Sequence, residues 1–260
     1  MEELLIIKVG GNIIDDDEKL KAFLLSFAAL SAKKILVHGG GKLATRIGEA
    51  LSIPQQMHEG RRITDAETLK VVTMVYAGYI NKNIVASLFS LKSPAIGICG
   101  ADANIILAHK RTNAKVDFGF AGDVDEVNVD FFTNILEEEM CPVVAPITHD
   151  GQGQLLNTNA DTIAQEIAKG LGKAFEVQLI YSFEKSGVLL DATDDNSVIQ
   201  QITMDSYKEL RERKQVFAGM IPKLDNAFAA LDNGVSKVII GKAEDIYQLI
   251  NGEKGTAIIK

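Results

Sequence analysis

Short apolar runs bounded by glycine alternate along the chain with longer segments in which apolar residues recur at helical spacing. Leu4 to Val9, Ile35 to Val37, Ala95 to Ile98, Pro142 to Ala145, Val177 to Tyr181, Lys237 to Ile240 and Ala257 to Ile259 read as strands. Several are apolar at successive positions, as burial on both faces of a sheet requires. Between them, residues 17–30, 42–51, 65–90, 130–139, 160–171, 204–213 and 223–233 carry helical periodicity, and most open with Asp, Thr, Asn or Gly. The alternation predicts an α/β class with a mainly parallel sheet.

Two stretches depart from that rhythm. In residues 100–128, short β-like pieces such as Ile105 to Leu107 are interspersed with Lys, Asn, Asp and Gly, which predicts hairpins and not a further βα unit. The 65–90 helix is apolar over more than one stripe, from Leu69 to Phe89, so it is either a central core helix or one that meets a second subunit. No internal repeat, low-complexity segment or Pro/Ser-rich linker is present, so two lobes would have to share one continuous sheet. A weak boundary falls near Gly170 to Lys173.

The length, 260 residues, fits one large domain or two coupled lobes, and 47% apolar residues support a sizeable core. With 27 Lys and Arg against 35 Asp and Glu, the net charge of −8 argues against a nucleic-acid partner. The densest basic run, Arg211, Arg213 and Lys214, is interleaved with Glu209 and Glu212 and reads as a solvated helix end. Cys99 and Cys141 stand among apolar residues, far from metal-binding spacing, as reduced thiols of a cytoplasmic protein. The first apolar run ends at Lys8, too early for a signal sequence, and no later run reaches the ~18 residues of a membrane span; no membrane partner is expected.

The candidate chemistry lies in the turns. Lys8-Val9-Gly10-Gly11-Asn12 and His38-Gly39-Gly40-Gly41-Lys42 each follow a strand, where glycines let backbone N–H groups approach an anion at a helix N-terminus. Leu36 stands where a P-loop would need its first glycine, which disfavours a Walker-type site. Gly39 to Ala44 formally fits a dinucleotide fingerprint with Glu59 about 20 residues on. That glycine turn belongs to the second βα unit, however, and Met57 to Arg62 reads as a hairpin. Gln154 to Asp161 gathers Asn157, Asn159 and Asp161 ahead of a helix; Asn159 as N-cap accounts for one of them, and the segment reads as structural or functional alike. Gly219 to Lys223 puts a lysine at the mouth of another helix, where an exposed lysine is the plain alternative. His38 reads as a structural hydrogen bonder.

Taken in order, KxGGN, HGGGK with GRRIT, NTNAD and GMIPK resemble the amino-acid kinase family, in particular its members that phosphorylate N-acetyl-L-glutamate. The resemblance runs from Leu4 to Gly255-Thr256 and includes Asn81-Lys82, Gly100-Ala101-Asp102 and Gly119 to Val124. It implies an open, mainly parallel eight-stranded sheet sandwiched by helices, of the carbamate kinase-like type. Residues 1–170 would form an acyl-amino-acid-binding and dimerisation lobe, and residues 171–260 a nucleotide-binding lobe. The implied reaction is ATP-dependent phosphorylation of the γ-carboxylate of an N-acyl-L-glutamate, on the way to arginine or ornithine.

By matching position, Lys8 and Lys223 would contact the transferring phosphoryl group and Asp161 would orient both. Gly40, Gly41, Arg62, Asn157 and Asn159 would bind the acyl amino acid; Gly10, Gly11, Ser182, Gly219 and Lys223 would bind ATP, with Mg²⁺ delivered by the nucleotide. A homodimer is implied, and since Leu4 already belongs to the first strand, an arginine-insensitive one. Such chemistry suits the residues: phosphoryl transfer needs positioning and charge neutralisation, and a carboxylate nucleophile with a pKa of ~4.3 needs no general base. The planar fork of Arg62 suits a carboxylate.

Two positions depart from the family pattern. Phe183 stands where an acid is expected in the nucleotide half, and Arg61 stands where leucine is usual. Arg61 reads either as a solvated arginine or as a residue favouring an acyl chain with its own carboxylate, such as N-succinyl-L-glutamate. The alternatives to an acylglutamate kinase are another kinase of the fold, or a non-catalytic nucleotide or amino-acid sensor. Arg62 and NTNAD argue against the former, and the joint presence of Lys8, Asp161 and Lys223 against the latter.

Overall fold

A computed structural model describes residues 1–58, 60–112, 116–191, 193–213 and 220–260. Glu59, Lys214 and Gly219, each singled out in the sequence, lie outside the described residues. An eight-stranded sheet crosses the molecule in the order Gln201–Ile202, Thr256–Ile258, Lys237–Lys242, Glu176–Phe183, Glu3–Val9, Lys33–His38, Cys141–Ala145, Ala95–Cys99. Six neighbouring strands are parallel; Thr256–Ile258 runs antiparallel to Lys237–Lys242 and carries Gln201–Ile202 parallel to itself. The seven strands expected from the sequence are all present. The eighth, Gln201–Ile202, has two residues, too few for an alternation pattern to register.

The expected two-sided burial of the central strands follows from the pleat. Leu4, Ile6, Ile35 and Val37 enter one apolar cluster, with Ile163 and Ile167 of the Ala160–Leu171 helix. Leu5, Ile7, Val9 and Leu36 enter the other, with Phe23, Phe27, Val72 and Ile84. Truncating any of these to alanine removes a buried side chain with no solvent to refill the space, which costs about 2–5 kcal/mol.

Side-chain capping fixes several helix starts: Asp16, Asp65, Asn128 and Asn159 each accept a backbone N–H of the first turn, and Thr203 and Ser206 form a reciprocal capping box. The far end of the Asp17–Ala28 helix is closed differently. The buried Lys34 donates through Nζ to the carbonyls of Phe27 (3.0 Å), Ala28 (3.0 Å) and Leu30 (2.6 Å), placing a cation at the negative end of the helix.

The expected 65–90 helix is three consecutive pieces: α-helical Ala66–Thr73, a π-helical stretch Met74–Ile80, and α-helical Asn81–Ser90. Val72, Tyr76, Ile80 and Ile84 are buried, while Met74, Tyr79 and Phe89 are exposed.

The hairpin expected in 100–128 is Ile106–Lys110 paired antiparallel with Gly122–Val127. It extends further than expected, because Ile147–His149 and Leu155–Asn157 complete a second, four-stranded sheet. Residues 155–157, read as the approach to a helix, are therefore a strand: Leu156 points inward and is fully buried, and Asn157 donates its backbone N–H to Phe120 O (2.8 Å). No helix among the described residues is long and apolar enough to cross a membrane.

Candidate active site

The chain winds outward from the central strand Glu3–Val9 through Lys33–His38, then starts again on the other side of it at Glu176–Phe183. Ligand crevices in open α/β sheets form where the winding direction switches, beyond the carboxyl ends of the strands. Register places Val9 beside both His38 and Ser182, so the turns Gly10–Gly11 and Gly39–Gly41 open at the same edge. Gly10 N donates to Ser182 O (3.1 Å) and the Ser182 hydroxyl donates to Lys8 O (3.0 Å), which fastens the two halves at the crevice.

Gly40 takes φ of +147°, and a Cβ there would collide with the tip of the Ile80 side chain in the π-helical stretch. Glycine is required at this point by conformation, and any side chain would also have to displace the tip of Ile80. Asp15, at the end of the short Gly11–Ile14 helix, accepts Leu43 N (3.1 Å) and so ties the first glycine turn to the helix that follows the second. Burial raises the Asp15 carboxyl above its usual value, against the opposing effects of that hydrogen bond and of Lys42 and Arg46.

Two cavities, about 620 and 250 Å³, occupy the crevice and share Gly11, Gly41, Met57 and Arg62 in their walls. The smaller is strongly basic: Lys8, Arg61, Arg62 and Arg111 line it, and Asp161 is the one acid among its described lining residues. Such an enclosure concentrates anions. Lys8 Nζ meets Asp161 Oδ1 at 2.8 Å, with both side chains partly exposed. Asp161 is held in the first turn of Ala160–Leu171, where the helix dipole favours a carboxylate, and its backbone N–H is capped by Asn159 Oδ1 (2.8 Å). Lys223 stands in the first turn of the Ile221–Asp232 helix, outside the walls of both cavities but within electrostatic reach of both residues: burial pushes its ammonium below the usual lysine range, Asp161 opposes that shift, and Lys8 adds to it.

The other residues singled out in the sequence fall as follows. Gly40, Gly41, Asn157 and Asn159 line the smaller cavity with Lys8, Arg62 and Asp161, and Gly10 and Gly11 line the larger. Asn157 Nδ2 donates to Thr64 Oγ1 (3.0 Å). The buried Arg62 donates to Gly41 O (2.8 Å) and Thr45 Oγ1 (2.9 Å) and contacts Gln55 Oε1, so the cavity wall orients its fork. Ser182 is buried with its hydroxyl already committed to Lys8 O; its observed part is to hold the crevice together.

His38 is fully buried behind the glycine turn, bonded to Gly39 O (2.9 Å) and Asn81 Nδ2 (3.2 Å), as a structural group would be. Both cysteines are free. Burial pushes the Cys99 thiol to about 11 and that of Cys141 to about 12, which leaves both unreactive at neutral pH.

Sequence reasoning missed Arg111 and Tyr76. Arg111 reaches the cavity from the end of the second sheet, where it forks onto Asp123 (Nε to Oδ1 3.0 Å, to Oδ2 3.1 Å) and thereby holds that carboxyl below its ordinary range. The opposite charges flanking the expected hairpin were a usable signal for that pair. Tyr76 enters from the π-helical stretch, and a helical apolar pattern alone gives no indication of it. Among the described residues no three His, Cys, Asp or Glu gather as a metal site. A divalent ion bound through nucleotide phosphates and at most one or two protein carboxylates fits this crevice better than an all-protein cage.

Known proteins resemble the chain over its whole length. The amino acid kinase family model matches residues 3–242. Acetylglutamate kinase of Cytophaga hutchinsonii is 56% identical, over 100% of this chain and 99% of that one, and acetylglutamate kinase of Parabacteroides distasonis is 53% identical over 99% and 100%. Among solved structures, carbamate kinase from Giardia lamblia bound to AMP-PNP aligns with a TM-score of 0.69 at 13% identity, over 100% of this chain and 98% of that one. N-acetylglutamate synthase from Neisseria gonorrhoeae, complexed with coenzyme A and N-acetyl-glutamate, aligns with a TM-score of 0.82 at 19% identity; this chain covers 59% of it. At such identities the structures speak for the fold, while the extent of the family match and the curated relatives decide membership: this chain belongs to the amino acid kinase family.

Proposed function

We propose that the chain phosphorylates the γ-carboxylate of N-acetyl-L-glutamate with ATP, giving an acyl phosphate and ADP in arginine biosynthesis. The observation that carries this reading is the Lys8–Asp161 ion pair set between two glycine turns and opening on an arginine-lined cavity. The names and full-length identity of the relatives support it. Residues 1–170 supply the acceptor cavity and residues 171–260 bring Lys223 and the nucleotide side of the crevice.

Arg62, Asn157 and Asn159 hold the α-carboxylate and amide of the acceptor, with the already ionised γ-carboxylate directed at the phosphoryl group. Lys8 and Lys223 flank the charge that develops on the transferring oxygens, and the amides of Gly11, Gly40 and Gly41 donate to the same region. Gly10 and Gly11 border the phosphates, Ser182 holds the crevice together behind them through its bonds to Lys8 and Gly10, and Gly219 is carried as a nucleotide contact by family resemblance. Asp161 keeps the lysines directed inward. Mg²⁺ delivered with ATP would offset phosphate charge there. The exposed Met74, Tyr79 and Phe89 on the 66–90 segment suit a homodimer contact, and the free thiols suit the cytoplasm.

A second reading concerns the acyl group. Arg61 lines the acceptor cavity beside Arg62; with Arg62 on the α-carboxylate and the γ-carboxylate directed at the phosphoryl group, Arg61 is left for a third carboxylate, which favours N-succinyl-L-glutamate. Hydroxylamine trapping of the acyl phosphate tests both readings, with MgATP and N-acetyl-L-glutamate, N-succinyl-L-glutamate, glutamate or aspartate. Hydroxamate from either acylated substrate supports the kinase, and its absence with all four refutes it. Arg61→Leu with unchanged selectivity between the two acyl substrates refutes the role of Arg61.

A further inference from the structure

Lys223 Nζ stands 4.5 Å from the centroid of the Phe183 ring. Within about 6 Å, the negative face of an aromatic ring attracts a cation, most strongly where water is partly removed. Lys223 is half-buried, so the contact is partly shielded from water. Phe183 ends the strand Glu176–Phe183, its backbone pairs with Lys242, and its side chain lines the 620 Å³ cavity. Gly10 packs against its base, where an added Cβ would lie 3.7 Å from Phe183 Cβ. The ring is thus anchored to the sheet, whereas Lys223 sits at the end of a flexible stem.

We propose that Phe183 is a positioning residue for Lys223, the face of its ring, beside the larger cavity, holding the ammonium for the transferring phosphoryl group. The family pattern leads one to expect an acid at this position. A carboxylate would direct the lysine by ion pairing and at the same time offset its charge. An aromatic face directs the ammonium while leaving its full positive charge for the transferring oxygens. Asp161, already paired with Lys8, remains the formal counter-charge of the cluster.

The inference rests on the kinase reading for its consequence and on the ring contact for its geometry, and the two are tested separately. Full-length protein carrying ¹³C at lysine Cε is compared by NMR as wild type, Phe183→Tyr and Phe183→Leu, with the Lys223 signal assigned by its loss in Lys223→Arg. Lys223 resonances shifted upfield by the ring in wild type and Phe183→Tyr, and returned to the ordinary lysine position in Phe183→Leu, are expected. An ordinary Lys223 position in wild type overturns the proposal.

In steady-state kinetics with the acceptor that gives hydroxamate, Phe183→Tyr retains kcat within about twofold. Phe183→Leu lowers kcat about 3- to 10-fold with acceptor KM unchanged. Phe183→Met serves if the leucine variant does not fold. Equal kcat losses in the tyrosine and aliphatic variants, no loss in either, or a loss wholly in the KM for ATP overturn the positioning role. If the NMR shift is present and wild type phosphorylates none of the four acceptors, the kinase reading fails while the contact stands.

Discussion

The buried histidine behind the glycine turn makes the fold sensitive to mild acid, by an amount that follows from its hydrogen bonds. Asn81 Nδ2 donates to Val143 O (2.9 Å) and its Oδ1 accepts from Lys82 Nζ (3.1 Å), so the amide is fixed and its remaining N–H faces His38 Nε2 (3.2 Å). His38 therefore accepts at Nε2 and donates from Nδ1 to Gly39 O. A second proton would oppose donor to donor in a site without solvent. Burial pushes the His38 pKa down from 6.5 to about 4, with the Lys82 charge adding to the shift against the favourable Gly39 hydrogen bond.

The unfolded chain takes up this proton below about pH 6.5 and the folded chain does not until about pH 4, so stability is complete above 6.5 and is lost as pH falls. Relative to pH 8, the loss is about 2 kcal/mol at pH 5 and approaches about 3 kcal/mol below pH 4. Against a total of about 5–15 kcal/mol, that is a large fraction. Urea unfolding of wild type and His38→Gln at pH 8, 6 and 5 measures it, since the other titrating groups are common to both. The difference between the two proteins should shrink by about 2 kcal/mol on going from pH 8 to 5. Parallel pH dependences, within about 0.5 kcal/mol, would refute a neutral buried imidazole.

Other outcomes follow from the crevice and the core. Lys223→Ala lowers kcat by about 100-fold or more with little change in acceptor KM, because its charge matters most as the phosphoryl group separates; an intact kcat in steady-state assay removes it from the catalytic set. Asp161→Asn removes the partner of Lys8 and lowers kcat about 100-fold, with the unfolding midpoint within a few degrees of wild type; full activity would leave Asp161 a simple helix-start residue. Gly40→Ala drives a Cβ into Ile80 at a φ that alanine rarely adopts, and costs about 2–4 kcal/mol by chemical denaturation. Lys34→Met leaves the carbonyls of Phe27, Ala28 and Leu30 without their shared donor and costs about 2–3 kcal/mol in the same assay; a neutral effect would mean that water replaces the ammonium.

Much of the crevice could be read in the sequence because its parts are local. A glycine pair after an apolar strand presents backbone N–H groups wherever the strand lies, and Asn159 caps its helix by contacts confined to the next three residues. Arg111 and Tyr76 escaped notice for the opposite reason: each enters the cavity from an element whose own pattern has no need of the site. Ser182 was placed by position in a motif, and its direction depends on the neighbouring strand, whose Lys8 carbonyl takes its hydrogen.

By itself, the sequence determined the alternation of strand and helix, the two-sided burial of Leu4 to Val9, the glycine turns and most helix starts, since each follows from side-chain periodicity or backbone geometry within a few residues. Only the tertiary structure decided that Gln201–Ile202 joins the sheet edge, that Leu155–Asn157 completes a second sheet, and that the 66–90 segment widens into π-helical turns against Gly40. It alone brought Lys8, Asp161 and Lys223 into one electrostatic cluster and set the last over Phe183. Those contacts join residues far apart in the chain, and they arise from the order in which strands pack, which local periodicity leaves open.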